Sequence, residues 1–304
     1  MVLCTYISSR LRPLENLKND AADHQIQRDL ITANHILHYH SVLDAYGHIS
    51  ARHPIDASTY LMSANMAPAL VSNASDLVQY RVNDSLAVSP DAPKGYIERY
   101  IHGEMYKLYP DVGCVIHSHS EDVLPYAIAG VPLRAVYHMA GFLGPGAVPV
   151  YDIEDFYNAT EPHDLLVRTP LLGEELAMTF LTPANLSATP PTTSPDYNVV
   201  LMRRHGFTTY GVDIKEAVFR AMFTQSNAQA QTTAATLRSA YGGLTDVEAN
   251  EWSSGSSRNG TGTFEPLTAQ QAMDCEVSIG ATSDRPWGLW VREVEVQPLY
   301  VNNG

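Results

Sequence analysis

The chain has 304 residues, of which 45% are hydrophobic, and this is enough apolar material for one large domain or two small ones. Its formal net charge of −14 argues against nucleic acids and anionic membrane surfaces as partners, because both repel an acidic protein. The sequence also lacks an apolar run of the roughly 20 residues that a transmembrane helix needs.

The cysteines and the N-terminus indicate the compartment. Cys4, Cys114 and Cys275 are odd in number and far apart, which is typical of a protein without disulfides. The first 20 residues lack the basic start and the apolar stretch of a secretory signal peptide. We therefore expect a reducing, cytoplasmic environment.

The N-terminal part predicts an arm, a helix and an antiparallel sheet. Residues 1–20 are expected to form a peripheral arm, and residues 21–44 a long helix. On that helix His38 and His40 are two positions apart and do not face each other, so a solvated or interface role is favoured over metal binding. After Gly47, short strands are predicted at 48–52, 60–63 and 76–82, and their close succession indicates an antiparallel sheet.

The most informative stretch runs from Glu98 to His119. Residues 96–109 predict a helix with an apolar stripe, and Tyr109-Pro110 ends it because proline cannot continue a helix. Residues 112–119 predict a buried strand, whose period of two places His117 and His119 on one side. Two packed or surface histidines are the alternative interpretation, so a metal site needs a further ligand.

That further ligand is available at the end of a second apolar strand. Residues 197–202 predict a strand, and His205-Gly206 follows it closely. Three histidines and a carboxylate such as Glu98 make a typical four-ligand set for Zn²⁺ or a similar divalent ion. Alone, Glu98 would instead be interpreted as an exposed carboxylate that is favourable at a helix start.

The remaining chain predicts further elements and a C-terminal tail. The expected elements are helices at 121–130, 174–181 and 214–241, strands at 132–136, 148–151, 165–167 and 207–210, and a Ser/Gly linker at 253–263. Trp287 and Trp290 predict that the end of the chain docks on the same chain or on a neighbouring subunit, where it covers the active site or a subunit interface. The predicted organisation is an arm (1–20), a domain (21–245) and a linker with a docking tail (246–304).

Several motifs together resemble the class II aldolase/adducin superfamily over about residues 25–240. They are Gly47-His-Ile-Ser50, Glu98 ahead of His117, the His-Ser-His run at 117–119, and Arg204-His205-Gly206. The resemblance implies a three-layer α/β/α sandwich with a mostly antiparallel central sheet, in a homotetramer. It implies that His117, His119 and His205 bind a divalent metal ion, Zn²⁺ or alternatively Mn²⁺, and that Glu98 is the catalytic carboxylate.

Within this superfamily, the chain is most similar to the branch that contains 3-hydroxy-2-methylpyridine-4,5-dicarboxylate 4-decarboxylase. The stretches YGHISARHP, LMSANMAPALV and HSHSEDVLPYAIAG carry this similarity. At the positions where sugar-phosphate aldolases hold phosphate, this chain has His48, Asn65-Met66 and Tyr96-Ile97 in place of Asn, Thr-Gly and a serine pair. Because phosphate sites need hydroxyls, small residues and backbone N–H groups, we expect a non-phosphorylated substrate that is cyclic or aromatic.

The implied function is a metal-dependent carbon–carbon lyase that acts through a metal-stabilised enolate, with decarboxylation favoured over aldol cleavage. Glu98 is expected to transfer the proton. His48, Asn65, His138 and Arg204 are candidate substrate-binding residues, although His138 is equally interpreted as a packed loop histidine and Arg204 as a solvated one. An epimerase, dehydratase or cyclase would use the same enolate and stays open. A non-catalytic adducin-like interaction module is the other alternative, and retention of the metal set argues against it.

Overall fold

The central sheet has seven strands and is mostly antiparallel. The computed structural model describes residues 14–189, 192–241 and 265–304. In these residues the strand order is β3-β2-β1-β4-β7-β6-β5. The strands are β1 (His48–Arg52), β2 (Thr59–Ser63), β3 (Leu77–Arg81), β4 (Cys114–Ser118), β5 (Val150–Tyr151), β6 (Val199–Met202) and β7 (Gly206–Gly211). The short β5 pairs with β6 in parallel, and the other described pairs are antiparallel.

Helices cover both faces of this sheet. They are α1 (Leu14–Tyr39), α2 (Arg99–Leu108), α3 (Leu124–Ile128), α4 (Pro170–Met178), α5 (Ile214–Tyr241), α6 (Ala269–Ile279) and α7 (Asp284–Glu295). Apolar residues of α1, α5 and α7 share one buried core with one face of the sheet, and those of α2 and α4 share a second core with the other face. The predicted three-layer α/β/α sandwich is therefore confirmed. None of the described helices is both long and apolar enough to cross a membrane.

Helix α2 is held firmly against β1 and α4. The guanidinium of Arg52 donates hydrogen bonds of 2.8 and 3.0 Å to the carbonyl oxygens of Tyr106 and Tyr109, at the end of the helix where carbonyl groups run out of partners in the helix itself. The carbonyl of Tyr109 also accepts from the backbone N–H of Val112. A side chain at Gly173 would meet the backbone of Tyr100, so glycine there permits the close approach of α4 and α2. These contacts fix the distance of α2 from the sheet. They therefore also fix the position of Glu98, which lies just before α2 in the chain.

Some predicted elements differ from the observed ones. Helix α1 begins at Leu14, so residues 14–20 are helical although the sequence assigned them to the arm; residues 1–13 and the predicted linker at 253–263 lie outside the described residues. Residues 132–136 are not a strand, because side-chain amides of α5 accept from their N–H groups, as Asn227 does from Val136 at 2.9 Å. Residues 165–167 are not a strand either, since Leu165 has a left-handed φ of 68°.

The C-terminal tail packs on its own chain. Trp287 and Trp290 are buried in the core that α1 and α5 form, with the ring of Trp290 near those of Phe223 and His40. His40 also lies 3.0 Å from the carboxylate of Glu293. The tail therefore completes one of the two hydrophobic cores of the fold.

Removal of one buried tryptophan should destabilise the whole domain. We expect Trp290→Ala to lower the free energy of unfolding by about 3–5 kcal/mol, because it removes a large side chain and leaves a cavity. Leu289→Ala is the matched control, since Leu289 is 59% exposed and Trp290 only 6%; it should change stability by less than about 0.5 kcal/mol. Chemical denaturation followed by circular dichroism measures both, and equal effects would contradict the docking of the tail.

Candidate functional site

Three neighbouring strands bring the histidines to one level of the sheet. His117 in β4 is paired with His48 of β1 on one side and with Thr208 of β7 on the other. His119 follows the last residue of β4, and His205 lies in the tight turn between β6 and β7. A side chain at Gly206 would meet the carbonyl of Ser118, so only glycine allows β7 to begin this close to the end of β4. A glycine is therefore needed directly after His205 for steric reasons.

Glu98 approaches the histidines from the other layer. It lies immediately before α2, is 5% exposed, and accepts a 3.0 Å hydrogen bond at Oε1 from the backbone N–H of Val167. Its Oε1 is 3.7 Å from His205 Nε2, and its Oε2 is 4.0 Å from His117 Nε2. One carboxylate oxygen is thus anchored by the backbone, while both face the imidazoles.

The four side chains form a compact set of ligand atoms. One ligand atom each from Glu98, His117, His119 and His205 lies within 4.8 Å of the others. The Nε2 atoms of His117 and His119 are 3.0 Å apart. His119 Nδ1 lies 3.2 Å from both carboxylate oxygens of Asp44, and His117 Nδ1 lies 3.5 Å from Thr208 Oγ1. With protons on both Nδ1 atoms, two lone pairs face each other, and a shared cation relieves their repulsion.

Burial keeps the imidazoles of His117 and His205 in the form that binds a metal. Desolvation lowers the pKa of His117 well below its usual value, and the neighbouring His205 and His119 lower it further. Desolvation also lowers the pKa of His205, against the opposing charge of Glu98. Because metal ligands must be neutral imidazoles, His117 and His205 can bind a cation without first losing protons. The residues present therefore fit a divalent metal ion.

Asp44 supports the cluster from outside. Burial raises the pKa of its carboxyl, but hydrogen bonds from the backbone N–H groups of Gly47 and Tyr46 and the interaction with His119 outweigh this, and the net pKa is lowered. An ionised Asp44 accepts the Nδ1 proton of His119 and leaves its Nε2 lone pair to face inward. The sequence analysis missed Asp44, although its place before Tyr46-Gly47 is typical of an aspartate that closes a turn.

The other candidates occupy different environments. His48 is buried beside the cluster, and its Nε2 is 3.9 Å from Glu98 Oε2. Asn65 has an exposed side chain, and its backbone N–H donates to the carbonyl of Lys94. His138 is exposed and contacts the ring of Tyr137. Arg204 is exposed and paired with Glu154 at 2.8 Å, so its guanidinium does not point into the cluster.

Two further residues contact His48, and the sequence resemblance had placed Tyr96 in this pocket but had not identified His102. The ring of Tyr96 packs on His48 with centroids 4.7 Å apart, and its hydroxyl donates to the carbonyl of Met66. His102 is fully buried, with its Nε2 2.7 Å from His48 Nδ1. The signal for His102 was its position one helical turn after Glu98, which places both on the same face of α2.

Comparison with known proteins agrees with this architecture. The sequence model described as "Class II Aldolase and Adducin N-terminal domain" matches residues 28–232. The chain belongs to this family. Among its relatives is decarboxylase tropJ of Talaromyces stipitatus, which is 44% identical over 90% of this chain and 96% of its own length. A 3,4-dihydroxyphthalate decarboxylase of Rhodococcus jostii is 25% identical over 68% of this chain and 77% of its own.

Solved structures share the class II aldolase fold. The aldolase II superfamily protein of Pseudomonas syringae has a TM-score of 0.63 at 19% identity, covering 96% of this chain and 97% of its own. The L-fuculose 1-phosphate aldolase of Glaciozyma antarctica has a TM-score of 0.60 at 17% identity, covering 91% of each chain. At these identities the similarity establishes the fold alone.

Loss of two ligands should abolish metal binding. We expect about one divalent ion per purified chain and a large loss in the double variant His117→Ala/His119→Ala, because two of four ligands are removed. His138→Ala is the control, since its exposed imidazole lies outside the cluster. Elemental mass spectrometry measures the content, and a wild type that stays metal-free after incubation with Zn²⁺ or Mn²⁺ would exclude the site.

Asp44 should tune metal affinity without being a ligand. Asp44→Asn keeps the size of the side chain but removes the charge that holds His119, and we expect affinity to fall about 10- to 100-fold. Competition with a chromogenic chelator measures this. Asp56→Asn, at an exposed turn, serves as control. An affinity equal to that of the wild type would mean that Asp44 does not orient His119.

Proposed function

We propose that this protein is a metal-dependent decarboxylase of a non-phosphorylated aromatic carboxylic acid. The observation that carries the proposal is the cluster of Glu98, His117, His119 and His205, which brings ligand atoms of three imidazoles and one carboxylate within 4.8 Å of one another. An adducin-like interaction module would not need such a complete set of clustered ligand atoms, two of them on buried side chains.

The relatives favour decarboxylation over aldol cleavage. The relative from Talaromyces stipitatus is named a decarboxylase and matches nearly the whole chain. More distant relatives from three bacteria are named 3,4-dihydroxyphthalate decarboxylases. That compound carries a carboxylate beside a ring hydroxyl, so the carboxylate and hydroxyl oxygens can bind one metal ion together. We infer a substrate of this chemical class.

The surroundings of His48 support a substrate without phosphate. The resemblance places the phosphate pocket of sugar-phosphate aldolases at His48, Asn65-Met66 and Tyr96. Here the ring of Tyr96 lies on His48, and its hydroxyl is bound to the carbonyl of Met66. These side chains leave an aromatic wall where a phosphate would need several free N–H and hydroxyl donors.

The reaction follows from this arrangement. His117, His119 and His205, with Glu98 beside them, would hold the metal ion, which when bound supplies a Lewis acid for the charge left as the carbon–carbon bond breaks. The bond to the carboxylate carbon cleaves, CO₂ leaves, and the electron pair remains on the ring carbon. Glu98 then transfers a proton taken from solvent to that carbon. The backbone N–H of Val167 holds Oε1 of Glu98 in place during this transfer.

The metal and the assembly are part of the proposal. Three nitrogen ligands and a carboxylate suit Zn²⁺, with Mn²⁺ as the alternative. The homotetramer and the cytoplasmic location stay predictions from the sequence. Cys114 is buried and free, and Cys275 is also unpaired within the described residues.

Glu98→Gln should separate catalysis from folding. We expect it to lower kcat for CO₂ release from 3,4-dihydroxyphthalate about 10²- to 10⁴-fold, because glutamine cannot transfer the proton but can still accept from Val167. Glu121→Gln, at an exposed position, is the control. Zinc content of each variant shows whether the site stays loaded. Zinc-loaded wild type that releases no CO₂ from 3,4-dihydroxyphthalate or other ortho-hydroxy aromatic acids would contradict the proposal and favour aldol or dehydratase chemistry.

A further inference from the structure

A chain of buried hydrogen bonds runs from the sheet–helix interface to the candidate site. The hydroxyl of Tyr106 lies 2.7 Å from Ser50 Oγ, which lies 2.7 Å from His102 Nδ1. His102 Nε2 in turn lies 2.7 Å from His48 Nδ1. The four side chains are between 0% and 1% exposed, so water does not compete for these bonds.

Secondary structure places these side chains in line. His48 and Ser50 alternate along β1 and therefore point to the same face of the sheet. Glu98, His102 and Tyr106 are spaced one helical turn apart around α2 and share one face of it. The chain is therefore built where this face of α2 lies on β1, and its end at His48 comes within 3.9 Å of Glu98.

The polarity of the chain is set at its far end. In the part of the protein that the structure describes, Ser50 Oγ is the one hydrogen-bond partner of the Tyr106 hydroxyl. If Tyr106 donates to Ser50, Ser50 donates to His102 Nδ1, and His102 donates from Nε2 to His48 Nδ1. Every proton from Tyr106 to His102 then has an acceptor, and only the Nε2 proton of His48 is left to face the site. If Ser50 instead accepted from both neighbours, its own buried proton would have no acceptor. The reverse direction leaves the buried phenolic proton of Tyr106 without one, which is unfavourable.

The near end favours the same polarity. His48 Nε2 is buried and has no hydrogen-bond partner, and it lies close to Glu98 Oε2. The clustered atoms of Glu98, His117 and His119 face inward as acceptors, so an unprotonated Nε2 would put one more lone pair among them. A proton on Nε2 gives the site a hydrogen-bond donor that its metal ligands cannot supply.

We propose that Tyr106, Ser50 and His102 fix His48 in the tautomer with its proton on Nε2, so that His48 donates a hydrogen bond to an anionic oxygen of the substrate. The recognised oxygen belongs to the carboxylate or ring hydroxylate of the aromatic acid, and this part rests on the proposed function. The tautomer itself does not. Tyr106, Ser50 and His102 are then positioning residues, and His48 is the residue that contacts the substrate.

Nuclear magnetic resonance tests the tautomer without any substrate. In zinc-loaded protein labelled with ¹⁵N-histidine, the two-bond and three-bond couplings of each ring distinguish protonated Nε2 from protonated Nδ1. His48→Gln and His102→Gln assign the two signals by their disappearance. We expect both imidazoles to carry the proton on Nε2. A proton on Nδ1 of His48 would overturn the proposal, whatever the activity of the enzyme.

A matched pair of substitutions tests the positioning role. His102→Gln keeps an N–H donor for His48 Nδ1, whereas His102→Leu has a similar size and no donor. With 3,4-dihydroxyphthalate as probe, we expect His102→Leu to lower kcat/KM about 3- to 10-fold further than His102→Gln does, as the loss of one hydrogen bond implies. Tyr109→Phe, which removes another buried hydroxyl bonded to Ala177, should leave kcat/KM unchanged. Equal losses in both His102 variants would mean that the role of His102 is packing alone.

The two readouts separate this inference from the proposed function. If the probe releases no CO₂ but His48 carries its proton on Nε2, the proposed reaction fails and the donor polarity stands. If CO₂ is released and His48 carries its proton on Nδ1, the reaction stands and the donor role is excluded. Zinc content and unfolding midpoints of the His102 variants exclude a variant that has lost the site or the fold.

Discussion

The register between β1, β4 and β7 is the constraint on which the site depends. It pairs His117 with His48 on one side and with Thr208 on the other. The two histidines, and the threonine beside His117, therefore lie next to one another across three neighbouring strands. A shift of one residue would turn His117 to the opposite face of the sheet, where Cys114 and Ile116 are buried in the core against α1 and α5. The burial of those two residues therefore also fixes the direction of the imidazole. Packing and chemistry are determined together along this strand.

Helix α2 positions the carboxylate of the cluster, whereas the strands position its histidines. It has a carboxylate at its start, and the same face continues with His102 and Tyr106, which reach β1 through Ser50. The other faces of the helix pack into the second core, where Ile101 and Met105 are fully buried. Because Arg52 holds the carbonyls at the end of α2, the helix cannot slide without breaking these bonds. The position of Glu98 is therefore fixed at both ends of the helix, by Val167 and by Arg52.

The candidate metal ligands and the residues around His48 lie in different parts of the fold. The ligand atoms of the cluster lie on strand ends and on the helix start, which are rigid parts of the fold. The residues around His48, by contrast, include the turn at Asn65-Met66, which Tyr96 closes through its hydroxyl. The proposed contact of His48 with substrate would therefore depend on a turn that carries none of the ligand atoms of the cluster. Proteins that share one fold can therefore differ in the chemistry of their substrates.

The sequence by itself predicted most of the strands and the three histidines of the cluster, because strand alternation and the His-Ser-His and His-Gly spacings are local signals. The three-layer architecture and the role of Glu98 were implied by the resemblance to the class II aldolase/adducin superfamily. The sequence did not reveal that 132–136 and 165–167 lack strand pairing, since their hydrogen-bond partners come from distant side chains and from Glu98. Nor did it separate His48, which reaches the cluster, from Arg204, which turns to Glu154. Asp44, Tyr96 and His102 acquire their roles from neighbours far along the chain. Only the tertiary structure could decide these points, because a hydrogen bond between distant residues leaves no periodic pattern in one sequence.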